Sequence, residues 1–600
     1  MKLDRKNATE LEKWDLTGIY QTEEAFSADM ELFKKELSAF PSLREGMTEG
    51  GEGLYRVLST HTALVRRLSK LYEYAFLSSD LDKGDNGALA RLDRVMNLDN
   101  DFSAATYFID PTLCSLSDEA LEGFYRDFPA LSEYRRPIYR VRRNTPHLLD
   151  EGGEKLLADL SPALHKEQGI HSIFANADLQ FGTVKDENGE KVTLSSATYV
   201  PLLMSKSRSV RRAAFKTLYK TYRQFGNTFS SLLSGAIKEQ VTLSKLRSFP
   251  DSLTASTFSD EVTPAVYNTL IETVEENLAP LFDYYALKRE VLGVGKLHMY
   301  DVYAPLLPDF SEEYSYERAV NEILDAIKVL GEEYYTTLKR GLTEERWVDV
   351  YPTKGKRSGA YSAGCYDTNP YILLNFMGKL DDASTLAHEA GHSMHTYFSN
   401  KANPPHSAHY TIFVAEVAST VNELLFTRKK LRESTIKEEK LSLLNQLMET
   451  YKGTLYRQTM FAAFEKEMHA LCELGEPLTK EVMCEKYYAL VKKYFGRDVV
   501  CDEDIAYEWM RIPHFYSIFY VYKYATCISA ASAIVKRIEE EGEAYIPKYL
   551  DFLKAGNSKS PIDSLLLAEI DLTKKDPIEA AIADFSEAVR EFRSLWKEGD

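Results

Sequence analysis

The stretch "STLAHEAGHSMHTYF", residues 384–398, places three histidines and one glutamate on a segment with the periodicity of an amphipathic helix. His388 and His392 are four residues apart, so on a helix they project from one face about 40° apart and can bind one cation together. Glu389 follows the first histidine, where a carboxylate can act as general base on a metal-activated water. The pattern predicts a catalytic metal site, and the alternative is an ordinary helix rich in histidine.

A second segment offers the third ligand that such a site needs. "YTIFVAEVASTVNELLF", residues 410–426, surrounds Glu416 with apolar residues, where a carboxylate is costly to bury unless it is paired or binds a metal. The intervening "NKANPPHSAHY" contains two prolines that can turn the chain back. Ala390 and Gly391 are small enough to let the second helix pack closely. We therefore predict Glu416 as the third ligand, the alternative being a solvated helix face.

Three further histidines could compete as ligands. His395 lies seven residues after His388 on the same face, and His406 and His409 lie in the connecting segment. Histidines near a metal commonly support the ligands instead of binding the ion. We therefore expect packing, supporting or substrate-side roles for these three.

Composition limits the class of protein and its partners. The chain has 600 residues, 44% hydrophobic and 27% charged, the balance of a folded soluble protein large enough for more than one lobe. A net charge of −18 argues against nucleic acid as a partner, because binding there depends on cations that neutralise phosphates. Neither a signal-peptide core nor an apolar run of membrane-spanning length is visible. We expect a cytoplasmic protein with no membrane partner and with reduced cysteines.

Most of the chain has helical periodicity, and two segments break it. Residues 177–199 contain two β-prone runs around Asn188-Gly189, a dipeptide typical of a hairpin turn. In "RSGAYSAGCYDTNPYILLNFMG", residues 357–378, the run Tyr371–Phe376 predicts a strand leading toward the motif helix. We place a domain boundary after the hairpin, with an N-terminal helical accessory domain at 1–195 and a catalytic domain at 196–600.

The motifs together resemble a known family. "HEAGHSMH", followed 24 positions after His392 by the glutamate of "FVAEVAS", resembles the thimet-oligopeptidase-like family of zinc peptidases, specifically its oligoendopeptidase F branch. "WDLTGIY", "KRSGAYSAGCYDTNPYILLNF" and "RIPHFYSIFYVYKYATC" are similar to the same branch, so the resemblance runs essentially end to end. It implies a mainly α, two-lobed zincin-type metallopeptidase that encloses a deep substrate channel, with a small β element beside the active-site helix.

The resemblance also implies roles for individual residues. It implies one zinc ion per chain, held by His388, His392 and Glu416, with Glu389 as the general base. In the late segment the candidates for hydrogen bonds to the oxyanion are His514, Tyr516 and Tyr522, with Tyr520 as the rival to Tyr522. The Gly-rich "SGAYSAG" and the strand after it imply an edge that pairs with the backbone of an extended peptide.

These observations favour a zinc-dependent endopeptidase that hydrolyses internal bonds of short oligopeptides. A zinc carboxypeptidase of helical fold is the nearest alternative, because HExGH with a downstream glutamate also occurs there. A catalytically silent helical scaffold is the alternative from another class, but a structural metal site would not require Glu389. The sequence leaves open the oligomeric state and the preferred peptide bonds.

Overall fold

The computed structural model describes residues 5–307 and 313–598, and most of them are helical, as the periodicity predicts. The α-helices are α1 (Glu23–Ala39), α2 (Gly51–Leu81), α3 (Asn86–Thr106), α4 (Ile109–Ser115), α5 (Asp118–Asp127), α6 (Arg135–Arg142), α7 (Glu151–Leu160), α8 (Lys166–Ile173), α9 (Ser196–Leu203), α10 (Arg208–Gln224), α11 (Gly226–Leu246), α12 (Ser252–Ser259), α13 (Pro264–Glu276), α14 (Ala279–Val291), α15 (Tyr316–Ile327), α16 (Glu332–Thr343), α17 (Leu380–Ala402), α18 (Ile412–Glu433), α19 (Lys437–Tyr451), α20 (Arg457–Glu473), α21 (Lys480–Phe495), α22 (Tyr522–Glu541), α23 (Ile546–Lys554), α24 (Pro561–Leu567) and α25 (Asp576–Lys597).

Strands are short and form small sheets. They are β1 (Thr183–Lys185), β2 (Lys191–Thr193), β3 (Leu297–His298), β4 (Val348–Asp349), β5 (Tyr361–Ala363), β6 (Tyr371–Leu373) and β7 (Val499–Val500). A mainly α fold with a small β element is thereby confirmed. None of the described helices has both the length and the apolar character required to cross a bilayer.

The chain divides into two compact units, each built from separated segments. The first comprises Met1–Pro146, Ser311–Lys429 and Ile534–Ile570, and the second comprises His147–Phe310, Lys430–Ala533 and Asp571–Asp600. These units are defined by contacts in space and combine separated segments, whereas the predicted boundary after residue 195 divides the sequence into two continuous parts. That boundary stays a prediction.

The first unit has one core that joins the N-terminal helices to a sheet strand. Phe26 and Phe33 of α1 and Leu71 of α2 are fully buried in it, on the apolar stripes that the sequence shows. Trp14, from the "WDLTGIY" segment, meets Tyr371 of β6 edge to face with ring centroids 6.1 Å apart. The N-terminal residues therefore support the strand that precedes the motif helix.

The sheet of the first unit has the order β4-β6-β5, with β4 parallel and β5 antiparallel to β6. The predicted strand Tyr371–Phe376 is present but regular only over Tyr371–Leu373. Beyond it, the backbone N–H of Leu374 still donates to Asp349 of β4, and that of Phe376 donates to Val350 just after β4. β5 is an edge strand and packs against α17.

The motif segment is a helix with well-defined ends. In α17 the Asp382 carboxylate accepts the backbone N–H of Lys379 at 2.9 Å, satisfying a donor at the helix start. The helix stops before the prolines of the connecting segment, and α18 then brings Glu416 back. The two helices approach closely at Gly391, since a Cβ there would lie 2.5 Å from the backbone oxygen of Ala418.

The second unit contains the predicted hairpin and a helical core rich in tyrosine. β1 and β2 pair antiparallel, and Gly189 has φ +82° in the loop between them. The loop spans residues 186–190 and is longer than a two-residue turn, and within its Asn-Gly pair only the glycine has a positive φ. The core buries aromatic residues such as Tyr267, Tyr284 and Tyr487.

Candidate active site

The three predicted metal ligands lie together in the first unit. One ligand atom from each of His388, His392 and Glu416 lies within 4.8 Å of the others, and no other His, Cys, Asp or Glu group among the described residues meets this criterion. The Oε2 atom of Glu416 is 3.2 Å from Nε2 of His388 and 3.6 Å from Nε2 of His392. Both imidazoles therefore present the same nitrogen to the same carboxylate.

Glu423 lies on α18, seven residues after Glu416, and contacts the second ring nitrogen of His388. Its Oε2 atom is 3.1 Å from Nδ1 of His388. When the imidazole is neutral, a carboxylate in this position accepts the Nδ1–H and so directs the lone pair of Nε2 toward a bound ion. This contact of Glu423 with His388 was not predicted from the sequence.

The electrostatics of the cluster favour a cation. Burial opposes the charged form of His388, but hydrogen bonds to Glu416 and Glu423 outweigh it and raise the pKa of this histidine to about 10. Burial likewise works against ionised Glu416, yet the two histidines hold the pKa of its carboxyl well below the usual range. The site thus stabilises positive charge next to Glu416.

The donor set fits zinc. Two imidazole nitrogens and one carboxylate oxygen are the ligands of many catalytic zinc sites, in which the fourth position is left to water. The orientation of His388 by Glu423 matches the carboxylate–histidine–metal arrangement that such sites use. His388, His392 and Glu416 are partly exposed, with 26%, 18% and 37% of their side chains accessible, so water can reach them.

Glu389 lies beside the cluster and is 8% exposed. Burial raises the pKa of its carboxyl, while the two motif histidines and the backbone N–H of Ser362 act in the opposite direction. Ser362 belongs to β5, and its hydroxyl is 2.8 Å from that of Ser393, which donates to the backbone oxygen of Glu389 at 3.0 Å. The edge strand and the motif helix are therefore tied together next to the carboxylate.

The remaining histidines of this region pack elsewhere. His395 is 1% exposed and stacks on Tyr410 with ring centroids 3.6 Å apart. His406 stacks on Tyr134 and hydrogen-bonds to a backbone oxygen. His409 lines a cavity that is formed with N-terminal helices and is separate from the ligand cluster. None of them belongs to the ligand cluster found among the described residues.

The late segment belongs to the second unit, and the structure groups His514 with two tyrosines. The His514 ring is parallel to that of Tyr520 at 6.3 Å and edge-on to Tyr524 at 6.2 Å. The hydroxyls of these tyrosines are 3.5 Å apart. All three side chains are partly exposed, so they can reach a ligand.

The other two candidates of the late segment have different surroundings. Tyr516 packs against His171 with ring centroids 4.7 Å apart. Tyr522 is fully buried, and its hydroxyl lies 3.4 Å from a carboxylate oxygen of Asp260. These contacts favour packing for Tyr522, and the roles of Tyr516 and Tyr522 in catalysis stay predictions.

A strained turn carries Tyr520. Phe519 has φ +45°, which is unusual for a residue with a side chain. Its backbone N–H donates to Oε1 of the buried Glu465 at 2.6 Å, and its ring packs on His469. Such strain persists only where surrounding contacts enforce it, and it is common at functional sites.

Family models match most of the chain. The model described as Peptidase family M3 matches residues 202–584, and the model described as Oligopeptidase F matches residues 113–181. Oligopeptidase PepF of Bacillus subtilis (strain 168) is 38% identical over 592 residues, which cover 99% of this chain and 88% of the relative. An oligoendopeptidase F homolog of Borreliella burgdorferi is 37% identical over 603 residues, covering 99% and 100%.

Solved structures share the fold. A crystal structure from Chlamydophila abortus is similar with a TM-score of 0.94 and 36% identity, covering 99% of this chain and all of the other. The crystal structure of oligoendopeptidase-F from Enterococcus faecium is similar with a TM-score of 0.73 and 33% identity, covering 96% and 99%. The likeness therefore extends over nearly the whole length of each chain.

Proposed function

The chain belongs to peptidase family M3, and from this premise we propose that it is a zinc-dependent endopeptidase that hydrolyses internal bonds of short oligopeptides. The observation that carries the proposal is the convergence of His388, His392 and Glu416 within 4.8 Å, with Glu389 beside them. The names of the relatives, oligopeptidase and oligoendopeptidase, support the substrate class. As composition suggests, we propose that it acts in the cytoplasm, without nucleic acid or membrane as partner.

In this proposal His388, His392 and Glu416 would hold one zinc ion. When bound, zinc lowers the pKa of a coordinated water to about 7 and polarises a substrate carbonyl. Glu389 then takes the proton from the attacking water and returns it to the leaving amine, and burial suits this role because it brings the carboxyl's pKa closer to neutrality. Glu423 keeps the His388 ring in the ligand orientation.

Peptide positioning and charge stabilisation involve further residues. We assign to β5 the binding of an extended peptide by backbone hydrogen bonds, because it is an edge strand tied to the motif helix at Ser362. We assign hydrogen bonds to the developing oxyanion to His514, Tyr516 and one further tyrosine, for which Tyr522 and Tyr520 are the two candidates. The cluster of His514 with Tyr520 and Tyr524 favours Tyr520 over Tyr522 for this role. A channel that admits only short peptides completes the proposal.

The test uses an internally quenched peptide blocked at both ends, together with metal analysis of the purified protein. We expect about one zinc per chain, cleavage in the middle of the peptide by mass spectrometry, loss of activity with a chelator and recovery with zinc. If the blocked peptide stays intact and an unblocked peptide loses residues only from its C-terminus, the protein is instead a carboxypeptidase. A Glu416→Ala variant that still binds one zinc would assign the third ligand to another residue.

A further inference from the structure

The second unit contains a cavity of about 230 Å³ whose lining includes none of the candidate active-site residues. Its walls are mostly apolar or aromatic, with Leu281, Met460 and Phe495 among them. Only three charged side chains line it, namely Glu449, Lys452 and Arg457. Glu449 and Arg457 are 35% and 22% exposed, so solvent and small solutes can reach the charged end.

The charges around this cavity do not balance. Lys288 and Lys452 share the single carboxylate of Glu449, and Arg457 and Arg511 share that of Glu508, so four cations face two carboxylates. Lys288 and Lys452 are only 2% and 9% exposed at their side chains. Burial lowers the pKa of Lys288 to about 8, although Glu449 acts against it. Buried positive charge in excess of its partners is costly unless an anion compensates it.

Two buried hydroxyls on the same walls lack partners. Tyr456 and Tyr494 line the cavity and are 1% and 2% exposed. Among the described residues, neither hydroxyl has a hydrogen-bond partner. Because both oxygens are themselves buried, the rings of these tyrosines and not their hydroxyls form the cavity wall, and they add to its aromatic character.

An irregular helix shapes the charged wall. Residues Lys452–Tyr456 form one π-helical turn between α19 and α20, and Lys452, Gly453 and Tyr456 all line the cavity. Single π-helical turns are frequent at functional sites. A Cβ placed on Gly453 would meet nothing within 4 Å, so the glycine leaves open space at this wall.

We propose that this cavity binds a small monocarboxylate with a hydrophobic body, its carboxylate between Lys452 and Arg457 and its body against the apolar walls. A carboxylate suits the site because it forms short charge-assisted hydrogen bonds to ammonium and guanidinium groups. Glu449 at the same wall disfavours a dianionic phosphate more than a monoanion. The ligand is thus defined by one negative charge and an apolar remainder that fits the cavity.

The experiment is calorimetric titration of the zinc-loaded protein with 4-phenylbutyrate, compared with 4-phenylbutyramide, acetate and inorganic phosphate. We expect saturable binding of one 4-phenylbutyrate per chain and binding weaker by about tenfold or more for the amide, because one charge-assisted interaction contributes roughly that factor. Acetate and phosphate lack the apolar body and are expected to bind more weakly as well. Equal binding of the amide, or equal binding of phosphate, would overturn the proposal.

Variants identify where the probe binds. Lys452→Met keeps the apolar stem and removes one cation, while Glu449 retains Lys288, and we expect about tenfold weaker binding. Lys185→Met makes the same charge change at an exposed position of β1 and should leave binding unchanged. Gly453→Leu should block the cavity, and Gly453→Ala should not. Absence of binding to the wild type, or binding that survives Lys452→Met and Gly453→Leu but disappears with a chelator, would refute the cavity site.

Discussion

At the scale of single residues, the His388 imidazole is constrained on both nitrogens. Its Nε2 atom faces Glu416 and would bind the proposed zinc ion, and its Nδ1 atom lies 3.1 Å from Oε2 of Glu423. Because the carboxylate at Nδ1 both fixes the ring and increases its basicity, Glu423 should affect metal affinity without being a ligand.

We therefore predict that Glu423→Gln weakens zinc binding by about 10- to 100-fold while the protein remains folded. Competition with a chromophoric chelator measures the affinity, and circular dichroism checks the fold. Glu433→Gln, at the end of the same helix, is the matched control and should bind zinc like the wild type. Unchanged affinity in Glu423→Gln would show that its contact with His388 is dispensable.

A second prediction concerns Glu389. Glu389→Gln keeps the size of the side chain and one acceptor oxygen but cannot accept the proton, so we expect a decrease in kcat of about 10² or more with zinc content unchanged. Steady-state kinetics and elemental analysis of the same preparation give both values. Hydrolysis near the wild-type rate would exclude Glu389 as the base.

Residues whose roles follow from local spacing could be predicted from the sequence, and residues that act through distant contacts could not. His388, Glu389 and His392 form one helical motif, and the structure places the two histidines beside Glu416. Glu423 acts across to another helix, a contact that no spacing within α18 encodes. Tyr522 looked equivalent to Tyr520 in an aromatic run, and only tertiary packing distinguishes a buried ring from a partly exposed one.

At the scale of elements, the metal cluster depends on how closely α17 and α18 approach. A Cβ on Gly391 would lie 2.5 Å from the backbone oxygen of Ala418 and 2.6 Å from Cα of Ser419. Backbone atoms cannot rotate away, so any side chain at this position must separate the helices. The small residues of the HEAGH motif indicated this close packing, which the structure confirms.

We predict that Gly391→Ala destabilises the protein by about 1–3 kcal/mol through overpacking, although alanine is the better helix former. Zinc affinity should fall as well, because Glu416 moves with α18. Thermal unfolding and chelator competition test both effects. Gly169→Ala in α8, where a Cβ meets nothing within 4 Å, is the control and should be neutral or stabilising.

Strand lengths and loop details were less predictable than helices. β6 is regular over fewer residues than the apolar run Tyr371–Phe376 suggests, because its partner β4 is itself a strand only over Val348–Asp349. The hairpin of β1 and β2 was predicted from Asn188-Gly189, yet its loop uses a positive φ only at Gly189. Such differences arise from pairing partners that a single segment does not contain.

At the scale of the whole molecule, each unit is assembled from segments far apart in sequence. Trp14 packs on Tyr371, more than 350 positions away, so the N-terminal residues support the sheet beside the motif helix. The sequence has no Pro-rich or low-complexity linker that would reveal these segments. The boundary after residue 195 was therefore predicted from the hairpin alone.

Acid stability gives a prediction for the whole molecule. Burial lowers the pKa of His469 to about 4, whereas an unfolded histidine titrates near 6.5. As pH falls through this window, the unfolded chain binds a proton that the folded protein excludes, so His469 alone costs roughly 3 kcal/mol of stability by pH 4.

His469→Gln removes this dependence. We expect the variant to be less stable than the wild type at pH 8, because hydrogen bonds to Gln240 and to the backbone of Glu465 are lost. The difference in thermal unfolding temperature between the variant and the wild type should become smaller as the pH falls toward 4. Buried Glu465, whose pKa burial raises, acts in the opposite direction in both proteins and largely cancels in the comparison. A difference that is constant with pH would contradict the assignment.

If peptides pair with β5 as proposed, the contact between the hydroxyls of Ser362 and Ser393 fixes where they lie along the motif helix. A peptide that pairs with β5 has its main chain in a fixed register relative to the helix that carries Glu389. N-methylation of successive peptide nitrogens, one per substrate, would then suppress hydrolysis at certain distances from the scissile bond whatever the side chains. The spacing of those blocked positions would measure the offset between strand and carboxylate.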